Sequence, residues 1–237
     1  MSETGSAGVE LLTRAVLAAC SALEEAQEEL CRLDSIAGDG DEGFAMASAA
    51  RGLRAQISQT PPGDVAALLS TAADQFSAAG GTMGALSFVL FHSLGQTPGL
   101  GSEPLNAETI ADLLAIAEDS VSAFGGARRG DKTIIDAIAG ARETAEACAR
   151  RKDSVAETLR RSAEAAKDAA SKTAGMVARI GRASRLAEHS RGTIDPGAQS
   201  FAIVLSALVQ TYEARTGPDC QDTSPSRKAP SGHFGAE

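Results

Sequence analysis

Three carboxylates, Asp34, Asp39 and Asp41, fall within eight residues and are interleaved with Gly38, Gly40 and Gly43. Hard divalent cations prefer carboxylate oxygen, and Mg²⁺ combines one or two carboxylates with waters and substrate phosphates. Carboxylates this close repel one another unless a cation neutralises them. The glycines remove side-chain bulk and let backbone amides approach a phosphate. A helix starting near Gly43 would aim its N-terminal amides at the same place. Carboxylates, cation and helix start together suit a polyphosphate, although spacing alone leaves an ordinary Asp-Gly turn as the commoner alternative. The cluster is neither an EF-hand calcium loop nor a Walker-type phosphate loop.

Other reactive side chains offer less. His92, His189 and His233 are not arranged as a nucleophile-base pair, and Cys20, Cys31, Cys148 and Cys220 lack metal-ligand spacing. Lys132 is read as a phosphate ligand or as a structural residue at a helix start. Asp131 is read as an N-cap rather than a base, and Thr133 and Ser200 as capping or packing residues.

The elements that must hold the cluster follow from hydrophobic period. Leu11, Leu12, Val16, Leu17, Leu23, Leu30 and Leu33 predict helix over 9–33, with Glu24, Glu25, Glu28 and Glu29 on the polar side. The pattern stops at the Gly- and Asp-rich segment and resumes from Gly43 to about Ile57. Asp64 is expected to cap a third helix, and Ala85–Leu94 reads as a buried one. Asn106 caps a helix ending near Gly125-Gly126, Asp131 or Thr133 starts the next, and another runs from about Ser154 to Lys172. The stretch from Thr173 to Ile194 looks irregular, and Asp195-Pro196-Gly197 opens a last helix to about Arg215, with Pro196 in its first turn. No period-2 strand pattern occurs. About eight helices and no sheet are expected: an all-α body over 1–215, with 216–237 as a flexible C-terminal tail.

Composition narrows the function. With 22 basic and 31 acidic residues the chain carries −9, a poor match to nucleic acid. No apolar run is long enough for a bilayer, the start MSETGSAGVE has no signal-peptide pattern, and the cysteines read as thiols of a reducing compartment. A cytoplasmic protein without membrane or nucleic-acid partners is expected. Between Arg142 and Arg191, twelve Lys or Arg face seven Asp or Glu; this is a mixed solvated helix face or a basic rim near a polyanion or acidic partner.

Four ordered segments resemble one family. LDSIAGDGDEG is similar to the LDxxxGDxDxG signature of the nucleotide-binding L domain of dihydroxyacetone kinases. Gly80-Gly81-Thr82-Met83-Gly84 resembles its GG[AT]SG turn, and Gly130 to Asp136 its GDKTMID segment. Gly181-Arg182-Ala183-Ser184 and Asp195-Pro196-Gly197-Ala198 resemble its GRAS and DPGA elements. The likeness covers about residues 10–214 and implies an eight-helix antiparallel barrel with a nucleotide site at one end. It further implies that Asp34, Asp39 and Asp41 hold two Mg²⁺ ions bridging the phosphates of ATP or ADP. Gly43, Phe44 and Ala45 would border the phosphates, and Thr82, Met83 and Gly84 would line the nucleotide. Gly125 and Ile134 would lie near the base, while Arg182, Asp195, Pro196 and Gly197 complete the cradle. With the cations, Arg182 would stabilise charge on the transferred group. Glu42 stands where many bacterial members have His, and Met83 where a Ser is usual.

The resemblance also implies a partner. In the family a separate K domain holds the ketose through a histidine, and nothing in this chain resembles it. The expected function is transfer from ATP-Mg²⁺ to dihydroxyacetone or a related short ketose on a separate K subunit. An alternative keeps ADP permanently bound and recharges it from a phosphocarrier protein; another is a non-catalytic nucleotide-binding regulator. A homodimer is left open.

Overall fold

The computed structural model describes residues 3–216, and side chains from Gly8 to Arg215. The expected tail lies outside the described residues except for Thr216, which ends the last helix. The described residues form nine α-helices: α1 Glu3–Glu25, α2 Gln27–Asp34, α3 Glu42–Gln59, α4 Val65–Ala78, α5 Gly81–Gly95, α6 Ala107–Gly125, α7 Ile134–Arg151, α8 Val155–Lys172 and α9 Pro196–Thr216. Among the described residues there is no strand. Only Ala26 separates α1 from α2, and hydrogen bonds from Ala26 N to Ala22 O and from Leu30 N to Ala26 O cross the break. The two form one bent rod, which brings the count to the expected eight.

The rods close into a ring in chain order. Each packs on the next from α3 to α9, and α1 closes the ring by packing on both α9 and α3. Short connections make consecutive rods up to α8 antiparallel, and α9 follows the same alternation across the longer 173–195 connection, so the starts of α3, α5, α7 and α9 share one end. Contacts between these starts agree: Ser200 of α9 bonds to Glu42 of α3, and the open side of Gly197 faces Met83 of α5 and Ile134 of α7.

Side-chain chemistry explains the helix limits. Asp64 accepts from Ala67 N at 2.7 Å, Asn106 from Thr109 N at 2.9 Å and Ser154 from Glu157 N at 3.2 Å. Each satisfies an amide that the helix cannot. At α7 the cap is Thr133, not Asp131: the Thr133 side chain accepts from Ile135 N, and Asp136 accepts from Thr133 N at 2.9 Å. Asp131 instead accepts from Arg128 N in the preceding turn.

Two kinds of packing fill the interior. Leu23, Leu30, Met46, Leu53, Leu68 and Phe76 are buried among α1 to α4, each large side chain contributing about 1.5–3 kcal/mol. Between α7, α8 and α9 the core is mostly alanine, including Ala137, Ala141, Ala145, Ala166, Ala170, Ala198 and Ala202. Small residues let these helices approach closely; a Cβ on Gly140 would lie 2.8 Å from that of Ala169. This is the structural use of the alanine-rich composition.

One expectation is corrected. In α5 only Gly84 is buried, not the whole Ala85–Leu94 stretch. Leu86, Leu90 and Phe91 pack inward while remaining partly exposed. Apolar residues on all sides of α5 give no period from which its covered face could be read. Among the described residues no helix is long and apolar enough to cross a membrane.

Candidate metal and nucleotide site

The carboxylate cluster sits at the end where α3, α5, α7 and α9 begin. Asp34 ends α2, Asp39 lies in the connecting loop, and Asp41 immediately precedes α3. One ligand atom from each lies within 4.8 Å of the others. Asp34 Oδ2 accepts from Asp41 N at 3.0 Å and from Glu42 N at 3.4 Å, folding the loop back on the α3 start. Two glycines make the turn possible. A Cβ on Gly38 would lie 2.8 Å from Asp34 Cγ, and one on Gly43 would lie 2.8 Å from Cys31 N of α2. Asp34 is half-buried, while Asp39 and Asp41 open to solvent.

Further charges face the cluster. Between α8 and α9 the chain forms short 3-10 segments, Thr173–Gly175 and Arg182–Ser190, and Arg182 makes an ion pair with Asp39. Burial pushes the Glu42 carboxyl up to about 8, with Asp195, Asp34 and Asp41 adding repulsion and the Ser200 hydroxyl opposing it. Burial likewise pushes Asp195 up to about 7; the Ala198 amide and Lys132 oppose this, while Asp136 and Asp34 add to it. Both shifts are led by burial and favour the neutral carboxyl, with the neighbouring carboxylates adding to them. A divalent cation held by Asp34, Asp39 and Asp41 would offset the repulsion among these three clustered carboxylates, so the donor set fits Mg²⁺.

The remaining expected residues divide into those at the mouth and those beneath it. Gly80 and Gly81 adopt left-handed φ values of 75° and 68°, with no atom within 4 Å of the position a side chain would take. They present an open backbone turn before α5. Thr82 is exposed beside them, and Phe44 is 62% exposed on the first turn of α3. Met83 turns inward to pack on the core, and a Cβ on Gly197 would lie 3.1 Å from its sulfur. Ala45 packs on the same core, Gly84 is buried against the Phe76 carbonyl, and Ile134 is buried at the α7 start. Pro196 begins α9, and Gly125 is exposed at the end of α6 with Leu86 alongside.

Several residues at this end were not singled out from the sequence. Ile36, Phe124 and Leu186 join Phe44 as exposed large apolar side chains on the segments around the cluster. Large apolar residues within Gly-rich connections were the available signal. The Ser200 bond to Glu42, at 3.0 Å, joins positions too far apart in sequence for any local pattern to reveal. A shallow hollow of about 460 Å³ on the α1–α9 flank, lined by Arg14, Ser21, Glu25 and Gln210 among others, contains none of the site residues.

An all-helical barrel with a carboxylate cluster among four helix starts defines the class of protein. Residues 36–210 match the DAK2 domain, and the chain belongs to that family. It is 38% identical over 221 residues to D-erythrulose kinase of Mycolicibacterium smegmatis, a match covering 92% of this chain and 36% of that protein. It is 29% identical over 190 residues to the Listeria innocua protein named PEP-dependent dihydroxyacetone kinase 1, ADP-binding subunit DhaL, covering 80% of this chain and 89% of that one. The crystal structure of C. freundii dihydroxyacetone kinase in complex with AMP-PNP and Mg²⁺ superposes with a TM-score of 0.65 at 26% identity, covering 85% of this chain and 34% of that one. The chain thus spans about a third of the erythrulose kinase and nearly all of the Listeria subunit.

Proposed function

We propose that this chain is the nucleotide-binding phosphotransfer component of a short-ketose kinase, acting on a ketose held by a separate K subunit. The observation that carries the proposal is the convergence of Asp34, Asp39 and Asp41 within 4.8 Å at the barrel end where four helices begin. The starts of α3 and α5 have no capping side chain on their N-cap residues, and their N–H groups and partial positive charge favour phosphate oxygens there. The three aspartates would hold two Mg²⁺ ions, which when bound neutralise charge on the β- and γ-phosphate oxygens. Arg182, which pairs with Asp39, would bind the same phosphates and stabilise charge on the group in transfer. The open Gly80-Gly81 turn would let backbone amides approach the nucleotide without a side chain intervening.

Similarity to kinases of erythrulose and dihydroxyacetone supports three- or four-carbon ketoses as acceptors. The test is phosphoryl transfer from ATP-Mg²⁺ to D-erythrulose, L-erythrulose and dihydroxyacetone, with a purified ketose-binding K subunit supplied in trans. Product requiring both proteins supports the proposal. No product with any of the three ketoses, from a K subunit active with its own partner, contradicts it.

A second reading has its own support. The Listeria relative is named for PEP-dependence and ADP binding, and this chain covers nearly all of it. On that reading ADP stays bound and a phosphocarrier protein restores its phosphate. Nucleotide that co-purifies and survives dialysis favours this reading; rapid exchange with added ATP favours the first.

A further inference from the structure

Lys132 occupies an unusual position for a lysine. It is 5% exposed and holds a left-handed φ of 63°, a conformation strained for any side chain, between Asp131 and the Thr133 cap. Its Nζ donates to the Thr173 carbonyl at 2.7 Å and to the Thr193 carbonyl. Those carbonyls stand at opposite ends of the α8–α9 connection, so one ammonium pins both ends of the loop that carries Arg182.

Neighbouring bonds extend the same attachment. Arg179 N donates to the Asp131 carbonyl at 3.2 Å, tying the middle of the loop to the residue before Lys132. The Thr173 hydroxyl accepts from Asp195 N at 2.8 Å, so the first residue of the loop also sets the last one before α9. Between Met176 and Thr193 only Ala178 and Ser190 are buried; the segment's other ties are Gly192 N to the Ala174 carbonyl, Arg191 to the Gly175 carbonyl, Ile180 packed beside the α7 start and the Arg182–Asp39 pair. Burying an ammonium is costly and stabilises poorly compared with an apolar residue. Asp195 and Asp136 partly offset that cost.

We infer that Lys132 is a positioning residue of the nucleotide site: it straps the 173–195 segment to the α7 start and thereby holds Arg182 and Asp195 over the aspartate cluster. It acts through these residues and does not touch the ligand. The consequence for binding rests on the proposed function; the strap itself does not.

The test uses Lys132→Met, which keeps bulk and removes charge, and Lys132→Gln, which keeps N–H donors. In Lys132→Met, hydrogen exchange in the unliganded protein should accelerate about tenfold or more across 173–195, because the Thr173 and Thr193 carbonyls lose their donor, with a smaller acceleration in Lys132→Gln, while α7 and α8 keep their protection. Unchanged exchange in 173–195 overturns the strap. Acceleration spread over every helix, or failure of both variants to fold, assigns Lys132 to general stability and also overturns it. A double-mutant cycle reads the positioning role. Lys132→Met should weaken Mg²⁺-ADP binding about tenfold in wild type but less than about twofold in an Arg182→Ala background, since residues acting through one another are not additive. Equal losses in both backgrounds contradict positioning through Arg182. Absence of nucleotide binding in the wild type would instead contradict the proposed function, with hydrogen exchange still deciding the strap.

Discussion

The Arg182 guanidinium is paired with the Asp39 carboxylate, although Arg182 lies between α8 and α9 and Asp39 between α2 and α3. Both side chains are about half exposed, at 53% and 48%, so the pair adds little to stability. Its effect is on the local field: it brings a positive charge to one of the three carboxylates expected to hold cations.

That placement gives opposite signs for two ligands. Arg182→Ala frees Asp39 and removes a cation, so Mg²⁺ alone should bind about two- to fivefold more tightly, the range of an exposed charge pair. ADP at saturating Mg²⁺ should bind about tenfold more weakly, the order of a lost charge-assisted hydrogen bond. Calorimetry with each ligand checks this. Parallel weakening of both would show that Arg182 supports the cluster rather than the phosphates.

Gly43 tests how the turn is built. A Cβ there would lie 2.8 Å from Cys31 N and 2.9 Å from Cys31 Sγ, pushing α3 away from α2 and separating Asp34 from Asp41. Gly43→Ala should cost about 1–3 kcal/mol, as overpacking does, and lower Tm by about 2–4 °C per kcal/mol. ADP affinity should fall with it. A variant with wild-type Tm and affinity would mean that α2 and α3 separate freely at this point.

A charge network around the buried Glu118, behind the α6–α7 connection, predicts a pH dependence. Glu118 is 7% exposed and binds Arg129 through both carboxylate oxygens, at 2.5 and 2.7 Å, with Arg142 at 3.3 Å. Burial pushes its carboxyl up, but the two arginines outweigh burial and hold it below the usual range. The stabilisation is therefore present above the unfolded value of about 4.3 and is lost as pH falls through the lower folded value. Glu118→Gln should cost about 1–3 kcal/mol near neutrality. Melting curves from pH 7 to pH 3 should show wild type and variant converging on acidification; a constant gap would contradict the assignment.

The fold was largely legible because most helices have one covered face. The leucines of α1 and α2, and the caps Asp64, Asn106 and Ser154, mark period and boundary within a few residues. Where α5 is apolar on every side, no period distinguishes its inward face, and the expectation of full burial failed. Asp34, Asp39 and Asp41 were readable because one short loop carries all three. For Lys132 the sequence left a phosphate ligand and a structural residue both open, because its partners Thr173 and Thr193 lie in a segment without hydrophobic pattern. Glu118 and Arg129 form their pair only once α6 and the following turn have folded back, which no local spacing records.

The most direct measurement is calorimetric titration of nucleotide-free protein with ADP, with Mg²⁺ and then with EDTA, on wild type, Asp39→Asn and Asp41→Asn. Saturable ADP binding that requires Mg²⁺ is expected, together with a loss of about tenfold or more in each variant, since each removes a charged ligand. Circular dichroism should show both variants folded, because both side chains are exposed. Equal ADP affinity in all three proteins, or binding unaffected by EDTA, would contradict the assignment of this end of the barrel as the metal-nucleotide site.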